Sequence, residues 1–239
     1  MEQNSKLDYL KKYSKKRNGS IKLISDSDLN YLDILTQEWY KIFKEKSTEN
    51  RIKLILHRWE QYVGSELRNT ISYLKESLDN VELIEVNERI SVLYTVKDNS
   101  GQVAYYEGRL PQTENINNEL KNAWDKLPVS LRSFYENVHN GFYCYASGSM
   151  GLVCLEEVSF LGDDNFEWSI IEDLDEPLQI NLNTSFGFFS NGMGIYVAID
   201  YNNCENDNAT LWSAKDEPEY NLNFWDVVDE WILIGLEMS

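Results

Sequence analysis

The sequence predicts an α+β fold, and three features carry the prediction. Apolar residues recur at helical spacing early in the chain, alternate with polar ones in its middle, and return to helical spacing at its end. Leu29, Leu32, Leu35, Trp39, Ile42 and Phe43 form one helical face, with Ser25 or Ser27 placed to cap it. A longer helix is expected from Thr48, its apolar face running through Ile52, Leu56, Trp59, Val63, Leu67, Ile71, Leu74 and Leu78. Gly64 lowers its propensity by about 1 kcal/mol but is expected to be carried inside it. Two such faces joined by a short turn suggest an antiparallel helical pair. Ile90, Val92, Tyr94 and Val96 then alternate with more polar neighbours, as on a half-buried strand. Asp98-Asn99-Ser100-Gly101 reads as a turn, Gln102 to Arg109 as the return strand of a hairpin, and Val81 to Val86 as a third strand.

The polar segment from Pro111 to Asn115 has no periodicity and precedes a change in charge. A boundary is expected there, between an N-terminal helix-pair and hairpin region, residues 1–115, and an α+β domain, residues 116–239. Leu127-Pro128 opens a helix with Leu131, Phe134, Tyr135 and Val138 on its buried face, and Asn140-Gly141 closes it. Strands are expected within 151–158, 166–171, 187–189, 195–200 and 210–214, punctuated by Gly, Asn and Asp as in an antiparallel sheet. Phe224, Val227, Val228, Trp231, Ile232 and Leu236 form a closing amphipathic helix. At the other end, Lys11, Lys12, Lys15, Lys16 and Arg17 surround only a thin apolar face of Leu7, Leu10 and Tyr13. That stretch reads as a frayed, solvated helix rather than a membrane or nucleic-acid contact.

Composition narrows the function classes. With 42% hydrophobic and 13% aromatic residues, the chain has ample material for a packed core. No apolar run is long enough to span a bilayer, and the first residues lack the apolar stretch of a secretory signal, so a cytoplasmic location is expected. Cys144, Cys154 and Cys204 are too few and too widely spaced for a disulfide framework or a zinc site, and read as mostly buried thiols. Residues 1–120 hold 18 Lys and Arg against 19 Asp and Glu, while residues 121–239 hold 4 against 21, so the second half carries −17 of the net −18. Such a field repels nucleic acid and anionic membranes and attracts basic proteins.

Four stretches of the second half carry a resemblance. They are LPVSLRSFYENVHNGF at 127–142, VCLEEV at 153–158, FGFFSNGMGIYVAID at 186–200 and FWDVVDEWI at 224–232. In order and spacing they resemble the SUKH superfamily, which includes fungal cell-wall-synthesis regulators and many bacterial immunity proteins. The likeness covers about half the chain and leaves residues 1–115 without a counterpart. It implies a SUKH-like antiparallel sheet flanked by helices, with no catalysis. It also implies that the protein protects a cell from a toxin by binding it.

The residues themselves contain no recognisable catalytic motif. His57 and His139 belong to no constellation and read as solvated or hydrogen-bonded structural histidines. There is no Gly-x-Ser-x-Gly elbow, and Ser147 to Gly151 lacks the Lys of a phosphate loop. Asp163 to Glu167 places oxygens at alternate positions, but Trp168 stands where a calcium loop needs Gly and Leu174 where it needs Glu. The segment from Asp200 fails similarly at Glu205 and Leu211, so neither a metal nor a cofactor is expected. A pair of carboxylates for glycoside hydrolysis has no specificity in so acidic a chain.

The same acids suit a binding surface. Asp163, Asp164, Glu172, Asp173, Asp175 and Glu176 cluster around one expected strand, with Glu205 and Asp207 in a nearby turn. Trp168 and Tyr201 are expected as exposed anchors. Many bacterial toxins are nucleases with basic clefts, which an acidic surface can occupy. The plainer alternative is that these charges keep the chain soluble. The expected function is therefore an immunity protein, not an enzyme, that blocks a basic cognate toxin. The alternative is a non-catalytic interaction scaffold related to cell-wall synthesis.

Overall fold

A computed structural model describes residues 2–16, 20–98, 100–112 and 116–238 of the chain. The first half contains α1 (Glu2–Lys16), β1 (Ile21–Leu23), α2 (Gln37–Lys44), α3 (Thr48–Val63), α4 (Arg68–Ser77), β2 (Leu78–Val86), β3 (Arg89–Lys97) and β4 (Val103–Arg109). The second continues with α5 (Asn118–Ala123), α6 (Val129–Ser133), β5 (Phe142–Cys144), β6 (Ser149–Leu152), β7 (Ser159–Phe160) and α7 (Ile170–Asp173). It ends with β8 (Ser185–Ser190), β9 (Ile195–Asp200), β10 (Asn208–Ser213), β11 (Glu219–Asn223) and α8 (Phe224–Glu237). The fold is α+β. All eleven strands join one sheet whose order follows the sequence, except that β7 pairs with β8 beside the main path. Neighbours are antiparallel throughout.

Side chains alternate across the sheet. On the first face, Val92, Tyr94, Tyr106, Phe142 and Phe189 share one apolar cluster with residues of α2, α3, α4, α6 and α8. The second face is covered in two places. At one end Leu10 of α1 is fully buried against Ile84, Leu93, Tyr105 and Tyr145. At the other, Leu161, Ile170 and Ile180 pack on Ala198 and Trp212. The sheet runs straight past the segment where composition places a boundary, because β4 pairs with β5, Tyr106 opposite Cys144 and Gly108 opposite Phe142. Within that segment, residues 113–115 lie outside the described residues.

Several elements differ from the sequence reading, each for a local reason. The first expected helix is a short 3₁₀ turn, Leu29–Tyr31, followed by α2, which Thr36 caps by accepting from the Trp39 amide. Ser25 donates to the Asp28 carboxylate instead of capping a helix, since short polar side chains compete with helical backbone bonds. The long helix starts at Thr48 as expected, with Ser47 as its cap, but stops at Val63. Gly64 marks the break, where a Cβ would lie 2.5 Å from the Glu60 carbonyl oxygen. Strand β3 is buried on both faces rather than one. Ser91 looks solvent-facing in sequence, yet its hydroxyl donates to buried Glu107 across the sheet. Helix α1 is docked rather than frayed. Lys6 pairs with Glu82, and the Tyr145 hydroxyl donates to the Leu10 carbonyl at 3.2 Å. Arg17 and Asn99, and the side chains of Lys15 and Lys16, lie outside the described residues. Residues 166–171 form no strand; a loop leads into α7.

The break at Gly64 creates a helix start that the far end of the chain completes. Leu67, the residue before α4, has no side-chain oxygen to offer. Asp229 of α8, 3% exposed, accepts from the Asn69 and Thr70 amides at 3.0 and 2.8 Å. A buried carboxylate thus meets the positive end of a helix from 160 residues away. Replacing Asp229 by Ala leaves two amides without an acceptor and should cost about 2–3 kcal/mol. Asp229→Asn keeps one acceptor and should cost roughly half as much. Urea denaturation measures both, and an unchanged midpoint for Asp229→Ala contradicts the assignment.

Candidate functional site

The chain between β7 and β8 makes a surface segment, residues 161–182, whose sequence serves two environments at once. Its apolar residues seal the second face of the sheet. Trp168 lies edge-on to Trp212, with ring centroids 5.5 Å apart, and its indole N–H donates to the Leu161 carbonyl at 2.8 Å. The Ser169 hydroxyl donates to the Ala214 carbonyl beyond the end of β10, and the Asn181 amide donates to the Asp200 carboxylate at the end of β9. With its apolar side turned inward, the segment presents its carboxylates outward. Asp163, Asp164, Glu167, Glu172, Asp173, Asp175 and Glu176 are all exposed. Among the described residues none of them makes an ion pair. Lys215 is the only Lys or Arg after Arg132, so the local field is strongly negative.

Seven of the ten expected site residues, Asp163, Asp164, Trp168, Glu172, Asp173, Asp175 and Glu176, share this one segment, and Tyr201, Glu205 and Asp207 lie outside it. Glu205 and Asp207 precede the start of β10, whereas Ser169 reaches the chain beyond its far end. Asp207 is occupied in accepting from the Ser130 hydroxyl at 2.7 Å. Neither aromatic is the free anchor expected. Trp168 is half-buried as described, and Tyr201 packs on Phe186 with the Lys126 ammonium 4.7 Å above its ring. Glu217 was missed by the sequence reading. It lines a cleft of about 380 Å³ with Asp175, Glu176, Tyr220 and two prolines. The run Asp216-Glu217-Pro218-Glu219 carried that signal, but its nearness to Asp175 depends on the fold.

The buried polar groups around the end of β4 have their own logic. The Trp59 indole donates to the Tyr94 hydroxyl at 3.0 Å, and that hydroxyl lies 2.7 Å from His139 Nε2. His139 Nδ1 lies 2.9 Å from the Arg109 carbonyl. A carbonyl only accepts, so Nδ1 carries the proton and Nε2 accepts from Tyr94. Both nitrogens are engaged and the ring is fully buried, leaving none free for a substrate. Arg109 donates to the Tyr143 hydroxyl, Glu156 and Glu157 at 3.1, 2.6 and 3.0 Å. Burial opposes its charge, but Tyr143, Cys154, Glu157 and Glu107 hold its pKa above the ordinary value. Glu156 also accepts from Asn140 and Arg89, and it stays below the usual carboxylate range although burial works the other way. Cys154 is buried and its thiol is pushed up, the reverse of an activated thiolate. Arg89, Arg109, Asn140 and Glu156 border a cleft of about 430 Å³, in which both arginines pair with Glu156. His57 lies exposed on α3, with Nδ1 3.9 Å from Glu60. No group of three His, Cys, Asp or Glu suited to a metal occurs among the described residues.

Burial lowers the pKa of His139 to about 3. The unfolded chain binds a proton there near pH 6.5 and the native chain does not, so stability is full above that value and falls as pH drops below it. Between pH 7 and pH 5 the loss should be about 2 kcal/mol, before most carboxylates titrate. Urea midpoints across that range measure it. His139→Gln should be less stable at pH 7 yet lose this slope, and a slope retained in the variant assigns it to other groups.

No family model, curated protein or solved structure matches the chain.

Proposed function

We propose that the chain is a non-catalytic, SUKH-like immunity protein that neutralises a basic toxin by covering its cleft. One observation carries this reading: a firmly anchored segment, residues 161–182, displays seven exposed carboxylates without a single ion-pair partner among the described residues. Concentrating like charge in this way costs stability through self-repulsion. A solubilising surface has no need of such concentration, because mixed charges serve as well. Facing a basic cleft, the same charges steer association and raise its rate by about 10- to 1,000-fold. The segment's apolar contacts to Ala198 and Trp212 hold the carboxylates in place before the partner arrives, which limits the ordering cost of binding. Inhibition is then steric and electrostatic, with no turnover.

The test is growth rescue. The C-terminal domain of a large secreted protein encoded beside this gene is expressed with and without the chain. The expected result is killing by the domain alone and restored growth with the chain present. The D163K, D164K, E172K, D173K, D175K and E176K variant, with unchanged thermal stability, should associate at least about tenfold more slowly. For the native chain, raising ionic strength from about 0.01 to about 0.15 M, which shortens the screening length from about 30 to about 8 Å, should slow association steeply. A rate indifferent to both changes excludes steering by this segment. Failure of rescue together with capture of several host proteins favours the interaction-scaffold reading instead.

A further inference from the structure

Among the described residues, the helices leave part of the first face of the sheet open. Beside α8 lies an apolar groove of about 450 Å³ lined by Tyr106, Met150, Met193, Trp231, Ile234 and Met238. Met193 and Met238 are each 83% exposed and Ile234 38%. Trp231 is held upright against Phe189, with centroids 5.7 Å apart. Gly235 lets the Tyr106 hydroxyl approach α8, where a Cβ would come within 2.8 Å of it. Three of the chain's four methionines meet here. Methionine is flexible and polarisable, which suits a surface that moulds itself around another chain.

The rim carries charge of one sign. Glu230 and Ile234 stand four residues apart on α8, with Glu237 and Met238 one turn further. Both glutamates are exposed, and neither makes an ion pair among the described residues. Among the described residues no Lys or Arg lines the groove. From Trp231 to Met238 the helix advances about 10 Å, which matches apolar anchors at i, i+4 and i+7 on a second helix. An anionic lipid surface is repelled by such a rim. A second copy of this chain, at net −18, brings the same acidic helix against it.

We propose that this groove receives an amphipathic helix of a partner protein, its apolar residues seated among the methionines and its Lys or Arg residues facing Glu230 and Glu237. The groove lies on the opposite face of the sheet from residues 161–182, so it does not depend on the toxin reading.

The methionines supply the test. The full chain labelled with ¹³C at the methionine methyls gives separate signals for Met1, Met150, Met193 and Met238. The probe is a synthetic amphipathic helix of leucine and lysine. Saturable shifts of the three groove methyls are expected. Ile234→Asp, whose site is open enough to keep the fold, should weaken binding by about tenfold or more, and E230K with E237K should do likewise. The variant with residues 163–176 reversed in charge should bind the peptide at the groove as the native chain does. The proposal falls if the groove methyls stay still. It falls equally if a serine-for-leucine peptide of the same charge, or a leucine and glutamate peptide, moves them as strongly. Loss of the shifts in the variant reversed at residues 163–176 also overturns it, by placing the peptide on the acidic segment.

Discussion

The buried chain of hydrogen bonds from Trp59 through Tyr94 and His139 to the Arg109 carbonyl links α3, β3, the turn before β5 and the end of β4. Its members come from both halves of the sequence, and each is positioned by the others. Residues Phe134–Val138 widen into a π-helical turn, closed by the His139 amide on the Phe134 carbonyl at 3.0 Å. That turn lays the imidazole on Gly108, where a Cβ would sit 2.7 Å from the ring atoms. Only a glycine in β4 leaves room for it. A polar group this deep is tolerated because every donor and acceptor along the chain is matched, and an unmatched one costs about 1–3 kcal/mol.

From this centre the two faces of the sheet diverge. The helical face is a continuous aromatic and aliphatic core, tied to the chain's end by the Asp229 cap on α4. The opposite face is closed by two smaller covers, α1 and the acidic segment, with the Arg109, Tyr143 and Glu156 network between them. A cover must be apolar inside and soluble outside. In residues 161–182 that requirement produces a dense, outward-facing set of carboxylates on a rigid support. The same division of labour gives the proposed toxin-binding surface its pre-organisation.

The acids at 163–176 were legible as surface residues because an unpaired charge is too costly to bury. Trp168 was not legible, because an indole serves equally as an exposed anchor or as a seal with its N–H satisfied. Its contact with Trp212 and bond to the Leu161 carbonyl decide the matter in three dimensions. Glu205 and Asp207 are close to the other acids in sequence order of strands but lie toward the opposite end of β10, a separation that charge counting cannot register. The helix over 48–63, the β2 to β4 meander and α8 were readable because each repeats a period over many residues.

The sequence by itself determined the α+β class, the charge asymmetry and the amphipathic elements, since composition and local periodicity record which residues leave water. Only the tertiary structure decided that β3 is buried on both faces, that Gly64 ends a helix, and that one sheet spans the chain. It alone paired Asp229 with α4 and His139 with Gly108. The physical reason is range. Periodicity reports the direction in which a segment buries itself, whereas a cap, a hydrogen-bonded relay or a second covering layer depends on a partner far away in sequence.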